Sequence, residues 1–207
     1  MLFHSKENDS TDNKLRILSD IFSAPHNAYE MYLNDETIGK SDLLRIHLTI
    51  WVFAPISKFL LNLILSFTDS SPMDFSFFQK LFSGLPTSFI IYPLVIFVVV
   101  NLDSLRVYYK KVNRAQDETL PPPDLLLLSF VPFSASSIFW IFPVPLNLFF
   151  ISIAFFYSIQ LSFYSLQNVS DYGKREFLNF LLLSFIFLLT GGLFVFGALN
   201  IVRMILK

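Results

Sequence analysis

Apolar residues gather in five stretches along the chain, separated by short polar or proline-rich segments. A bilayer core of about 30 Å needs about 20 apolar residues in a helix, because hydrocarbon leaves backbone N–H and C=O groups without any other partner. The pattern therefore predicts an all-α, polytopic membrane bundle with five transmembrane helices. The predicted spans cover approximately residues 43–67, 84–102, 124–142, 146–166 and 177–199.

The polar start of the chain predicts an N-terminal arm over residues 1–42, ahead of a membrane domain over residues 43–207. Apolar residues recur at helical spacing between residues 14 and 34, and Pro25 interrupts the run. Ser23 can cap a second helix with Pro25 in its first turn, so we predict two short helices meeting at residues 23–25. Such an arm either lies along the membrane surface or packs on the bundle's own loops.

The composition narrows the class of protein and its partners. Hydrophobic residues make up 54% of the chain and charged residues 15%, a balance too apolar for a soluble domain of this size. A net charge of −1 gives no electrostatic attraction for nucleic acid. The chain has no cysteine, so thiolate chemistry is excluded. Membrane lipids, other membrane proteins and further copies of this chain are the expected partners.

Basic residues distribute unevenly over the loops. With the N-terminus in the cytoplasm, eleven Lys and Arg lie on inner segments and three on outer ones. Basic residues of short loops stay on the cytoplasmic side, which predicts a cytoplasmic N-terminus and an outer C-terminus. If the chain is prokaryotic, the membrane is the plasma (inner) membrane. The inner loops could contact anionic lipids or a partner, although such loops often only set topology. The candidate contacts are Arg106, Lys110, Lys111, Arg114, Lys174 and Arg175.

Small residues mark a packing face on the fourth span. Ala154, Ser158 and Ser162 recur every four residues, which lets a neighbouring helix approach closely. Ahead of this span, two prolines within residues 143–145 leave room for a minimal turn only. The third and fourth spans are therefore predicted to form an antiparallel hairpin.

The sequence offers no catalytic constellation. Its carboxylates near the spans sit at span ends, its three histidines lack metal-ligand spacing, and no serine can be paired with a base. We therefore predict no enzyme activity, no cofactor and no metal. Lys58 is the one charge deep in a predicted span. It either snorkels to the membrane surface or contributes to the polar path of a small transporter.

A proline-centred segment in the arm, the predicted order of five spans and a basic turn before the last span together resemble a known family. The segment is Ile21-Phe22-Ser23-Ala24-Pro25 with Tyr29 and Leu33, and the turn is Asp171-Tyr172-Gly173-Lys174-Arg175. The family is that of the YIP-domain (Ypt/Rab-interacting) membrane proteins. The resemblance implies a five-span, non-enzymatic protein with a cytosolic N-terminus that acts by association, in eukaryotes with small GTPases.

The Asp-Leu-Tyr-Gly-Pro motif of the eukaryotic members is missing, and the nearest proline, Pro55, follows Val52-Phe53-Ala54. The resemblance is thus to the prokaryotic branch, and a small GTPase is a weaker expectation than a membrane partner.

Two functions remain open from the sequence. The first is a YIP-like integral membrane protein that acts through protein or lipid association at the membrane. The alternative is a small transporter, or a membrane subunit of a transport complex, with Lys58 in a polar path.

Overall fold

The computed structural model describes residues 3–34, 38–68, 75–113, 124–169, 175, 178–186 and 189–190. All regular secondary structure in these residues is helical. A further helical segment covers residues 178–186. The other helices are α1 (Phe3–Ser23), α2 (Pro25–Asn34), α3 (Lys40–Trp51), α4 (Phe53–Thr68), α5 (Phe75–Phe82), α6 (Leu85–Asn113), α7 (Leu125–Ser129), α8 (Val131–Ala135), a 3₁₀ helix (Ser136–Ile141), α9 (Leu146–Tyr164) and a π-helical turn (Ser165–Val169).

Three helical segments within the described residues are long and apolar enough to cross a bilayer: Lys40–Thr68, Phe77–Tyr108 and Leu146–Asn168. They coincide with the first, second and fourth predicted spans. The chain is therefore an all-helical protein with the character of a membrane protein. Five spans stay a prediction, because the third stretch is not one continuous helix and the fifth lies partly outside the described residues.

The first spanning segment is broken between α3 and α4. Pro55 lies in the first turn of α4 and has no N–H to donate to the carbonyl four residues earlier, so the helix restarts at Phe53. The hydroxyl of Ser137 donates a 2.8 Å hydrogen bond to the Ile50 carbonyl beside the break. A side chain from the 3₁₀ helix thus satisfies backbone that the proline disturbs.

The third predicted span departs from a regular helix. It consists of α7, α8 and the 3₁₀ helix, with a break at Phe130. Pro132 explains the break, since its ring clashes with the carbonyl four residues earlier in a continuous α-helix. Most of this segment is buried, including all of α7. We call residues 125–141 the central segment, because they lie in the middle of the bundle. Helix α9 lies antiparallel beside the central segment, after the short turn at residues 143–145.

The arm forms a helical hairpin of α1 and α2 that packs against the bundle. The helices meet at residues 23–25, as predicted, but Ser23 ends α1 and its hydroxyl donates to the Ser19 carbonyl instead of capping α2. Ile17, Ile21 and Tyr29 are buried. Within the described residues, the arm therefore packs on helices of the bundle.

Candidate functional site: polar groups at the arm end of the bundle

A buried ion pair lies near the end of the bundle where the arm docks. The Arg106 Nε–H donates a 2.9 Å hydrogen bond to Oδ1 of Asp103, and both residues lie on one face of α6 because they are three positions apart. Arg106 is 0% exposed and Asp103 is 3% exposed. The Leu126 N–H also donates to Asp103 Oδ1, at 3.4 Å, which connects α6 to α7. The ion pair lies within one helix and is shielded from solvent.

Further charged and phenolic groups surround this pair. Asp124 precedes α7 with a φ of 61°, a left-handed conformation that Asp tolerates better than most residues. Burial raises the pKa of Tyr32 on α2, and the carboxylates of Asp124 and Asp103 raise it further. At the exposed edge, Lys14 of α1 pairs with Asp42 of α3 at 3.4 Å. We call Lys14, Asp42, Asp103, Arg106 and Asp124 the charged ring.

Tyr29 fastens the arm to the bundle above the charged ring. Its hydroxyl lies 2.7 Å from Oγ of Ser129 on α7 and 3.2 Å from the Leu161 carbonyl on α9. Its ring stacks on Tyr164 with centroids 6.0 Å apart. Burial raises the pKa of the Tyr29 phenol well above its usual range. Docking of the arm therefore favours the neutral form of the Tyr29 phenol.

His47 ties α3 to the central segment. Its Nε2 lies 3.0 Å from the Leu127 carbonyl and its Nδ1 lies 2.6 Å from Oγ of Ser134. A carbonyl can only accept, so Nε2 carries the proton and, in the neutral ring, Nδ1 accepts from the Ser134 hydroxyl. Both ring nitrogens are thereby used in contacts between helices.

The predicted packing face is partly buried against α8. Oγ of Ser158 accepts a 3.0 Å hydrogen bond from the Phe133 N–H, and Ser158 is fully buried. Ser162 is also buried and donates to the Ser158 carbonyl, while Ala154 is half-buried. The small residues thus lie where the central segment meets α9. Ser158 accepts a hydrogen bond from a backbone N–H near the break at Phe130, and its small side chain also allows the two segments to approach closely.

The predicted inner-face contacts have different environments. Arg106 points into the protein, so it is not a surface contact. Arg175 is exposed. The side chains of Lys110, Lys111, Arg114 and Lys174 lie outside the described residues.

Lys58 lies far along the first spanning segment from the charged ring. It is half-buried, and its Cε would lie 3.1 Å from a Cβ placed on Gly84, at the turn between α5 and α6. On the same helix, Nδ2 of Asn62 donates to the carbonyls of Leu81 and Ser83 at 2.9 and 2.8 Å, which closes that turn. Lys58 therefore lies beside the turn that joins α5 to α6, and the snorkelling and transport alternatives both stay open.

Sequence reasoning missed the arrangement at the arm end. It placed Asp103 at a span end and Arg106 in a loop, although their spacing of three residues is a signal for a pair on a helix. It gave His47 no partner and Tyr29 no contact. Their partners are 80 to 132 positions away in the sequence, and no local pattern connects them.

In the part of the chain that the structure describes, no three His, Asp or Glu side chains lie close enough together to hold a metal ion. The arrangement is one of hydrogen-bonded contacts between helices, and the class that fold and site define is an all-helical membrane protein with a docked N-terminal hairpin. Comparison with protein-family models, curated proteins and solved structures finds no match to this chain. The YIP-domain resemblance therefore stays a prediction from the sequence.

Proposed function

We propose that this chain is a YIP-like integral membrane protein of five spans that acts without catalysis, through association with other proteins or lipids at the membrane. The proposed topology has the arm in the cytoplasm and the C-terminus outside. The docked arm is the observation that carries the proposal. Contacts of Tyr29 hold the hairpin against α7 and α9, while the opposite face stays exposed.

The exposed face of the hairpin suits association. It presents Leu15, Arg16 and Leu33, a mixture of apolar and basic groups on helices that are already held in place. A surface that is ordered before binding loses less conformational entropy when a partner arrives. The buried polar groups Tyr29, His47 and Asp103 have roles in assembly, which supports a non-enzymatic protein.

A photo-crosslinking residue in place of Arg16 tests the association in native membranes. We expect a discrete protein adduct at Arg16, and lipid adducts alone from the matched position Phe149, which is exposed on the apolar surface of α9. If neither Arg16 nor exposed Glu30 gives a protein adduct beyond the Phe149 background, partner association by this face is wrong. Purification in mild detergent with a stoichiometric partner would support the same conclusion.

The second candidate is a small transporter, and the position of Lys58 within a spanning segment favours considering it. Replacing Lys58 by Leu separates the two functions. An association protein should keep its partner adduct and gain or retain thermal stability, because a charge leaves the membrane. A transporter should lose solute uptake in proteoliposomes while remaining folded, and that result would overturn the first proposal.

A further inference from the structure

The geometry points to a role for the α1–α2 hairpin that goes beyond the proposed function and rests on its placement of residues 125–141 across the membrane. We propose that the tip of the hairpin, residues 21–25, inserts into the lipid leaflet on the arm's side of the membrane. The hairpin is then a lipid-contacting wedge beside the bundle.

The base of the hairpin, at Lys14 of α1 and Tyr32 of α2, lies at the same end of the bundle as the charged ring. On α1, Lys14 pairs with Asp42 in the first turn of α3 at 3.4 Å. On α2, Tyr32 lies in the electrostatic field of Asp124 and Asp103. On each helix, the residue near the charged ring is thus about 7 to 9 positions away from the tip.

The tip reaches well beyond the ring along the bundle. The hydroxyl of Tyr157 on α9 donates toward the carbonyls of Ile21 and Phe22, at 3.4 and 3.1 Å. Helix α1 also contacts α8, the middle part of the central segment. Phe22 is eight positions after Lys14, so at 1.5 Å per residue the tip lies at most about 12 Å from the base along the membrane normal.

The length of the central segment places the ring at the edge of the hydrocarbon. Residues 125–141 span at most about 28 Å, given the rise of α- and 3₁₀-helices. A bilayer core is about 30 Å thick, so the apolar segment must be used over its full length. Asp124 then lies at the hydrocarbon boundary, and the tip of the hairpin lies beyond that boundary, beside the acyl chains.

The chemistry of the tip fits lipid contact. Residues 21–25 carry no charge, and the Phe22 side chain is 49% exposed on the face away from the bundle. Two N–H groups at the turn are satisfied internally, since the N–H of Ala24 donates to the Asp20 carbonyl at 2.7 Å and that of Ala28 donates to the Ala24 carbonyl at 3.2 Å. Exposed backbone without partners would be costly in lipid, and these groups have partners.

Polar residues near the tip limit its depth. His26 Nε2 lies 3.1 Å from Oε1 of exposed Glu30, and Nδ1 of His26 lies 3.1 Å from the Tyr164 hydroxyl. Asn27 is exposed and Asp20 half-exposed on the flanking turns. These groups favour the boundary of headgroups and acyl chains, where a partly apolar helix buries its apolar side by about 5–10 Å. The surface is continuous with the apolar face of α9, where Phe156 is exposed.

Depth-dependent fluorescence quenching tests the insertion. The natural chain has no cysteine, so single cysteines can be labelled with an environment-sensitive dye and reconstituted in phosphatidylcholine and phosphatidylglycerol vesicles. The test sites are Ser23→Cys, which is nearly isosteric, and Phe22→Cys. Asn13→Cys is the matched exposed site at the base, and Phe156→Cys is the lipid-facing reference.

We expect dyes at Ser23 and Phe22 to emit at shorter wavelength than the dye at Asn13. They should also lose most of their fluorescence to lipids that carry a shallow quencher. Equal quenching at Ser23 and Asn13, in a protein that elutes as one species, would overturn the insertion. Labelling of intact vesicles with a membrane-impermeant maleimide gives an independent readout, in which Ser23→Cys should react much more slowly than Asn13→Cys.

Discussion

At the scale of single residues, the polar side chains inside this protein act in pairs that join distant parts of the chain. Tyr29 links the arm to α7 and α9, His47 links α3 to α7 and α8, and Asp103 links α6 to α7. In a membrane protein such bonds give direction to packing that apolar contacts alone leave undetermined. Substitutions at these few residues should therefore change the stability of the protein strongly.

Replacing Tyr29 by Phe should weaken arm docking and change its dependence on pH. The loss of one buried hydrogen bond costs about 1 kcal/mol at neutral pH. The phenol has a raised pKa when docked, so its stabilisation is present below an ordinary tyrosine pKa of about 10 and declines as pH rises above that value. We expect Tm in detergent to fall less steeply above pH 10 in Tyr29→Phe than in the natural protein.

Tyr32 is the internal comparison for this measurement, because burial and two carboxylates raise its pKa as well. Tyr32→Phe should flatten the same alkaline decline, and the double variant should flatten it most. Identical slopes above pH 10 in all four proteins would show that the phenols do not control docking.

Removing one partner of the Asp103–Arg106 pair should be strongly destabilising. Asp103→Ala leaves a buried guanidinium without its carboxylate, a change that costs about 3–5 kcal/mol in buried pairs. Arg106→Met should also destabilise, but the double variant should lose less than the two single losses combined. Chemical unfolding in detergent measures all three.

Ser104→Ala is the control for the ion-pair cycle, since Ser104 is exposed on the same helix and, among the described residues, its hydroxyl donates to the Val100 carbonyl of that helix. It should stay close to the natural protein. Additive losses from Asp103→Ala and Arg106→Met would contradict the direct coupling that the 2.9 Å contact implies.

At the scale of helices and turns, proline and glycine set where elements break. Pro55 and Pro132 each stand just after a break, and side-chain hydroxyls meet the backbone nearby. Gly84 joins α5 to α6 with a φ of 74°, a conformation that residues with a Cβ rarely adopt. Gly84 also lies against the Lys58 side chain. The turn therefore depends on glycine for two separate reasons.

Gly84→Ala should destabilise the protein by about 1 kcal/mol or more, because the backbone strain exceeds the entropy that alanine saves. Part of the loss comes from the new Cβ, which would lie 3.1 Å from Cε of Lys58. We expect a smaller effect of Gly84→Ala in a Lys58→Ala background, measured as Tm in detergent.

Gly39→Ala serves as the comparison, since a Cβ there meets nothing within 4 Å and its φ of −105° is ordinary. Its loss should be smaller than that of Gly84→Ala. A Gly84→Ala protein as stable as Gly39→Ala would show that the turn relaxes freely.

At the scale of the whole molecule, the arm and the broken central segment build one end of the bundle together. The central segment is nearly enclosed, while α4, α6 and α9 expose large apolar side chains on their outer faces, among them Ile64, Phe97 and Phe156. A soluble protein rarely exposes so much apolar surface, whereas lipid solvates it. Charged groups of the ring gather toward the arm end.

The proposed topology predicts which side of the membrane each loop faces. Asn13→Cys and Arg175→Cys should react with an impermeant maleimide from the same side, and Val144→Cys from the other side. All three positions are exposed, and the cysteine-free chain gives no background. Right-side-out and inverted vesicles provide the comparison.

Labelling of Val144→Cys from the side of Asn13→Cys would show that the central segment does not cross the membrane. That outcome would contradict the proposed five-span topology and the resemblance to YIP-domain proteins that depends on it. Opposite labelling of Asn13 and Arg175 would instead place an odd number of crossings between them.

Much of the fold could be predicted from the sequence, because a helix that crosses the bilayer core needs about 20 apolar residues. Spans one, two and four, the break in the arm before Pro25 and the tight turn at residues 143–145 follow from local composition and from the geometry of proline.

The sequence by itself determined that this is an apolar helical chain with a polar arm. Tertiary structure alone decided that Arg106 is buried, that His47 and Tyr29 join helices, and that the arm's tip lies beside the membrane-spanning part of α9. The physical reason is that hydropathy acts through neighbours a few positions apart, whereas a hydrogen bond between Tyr29 and Ser129 depends on how whole helices pack.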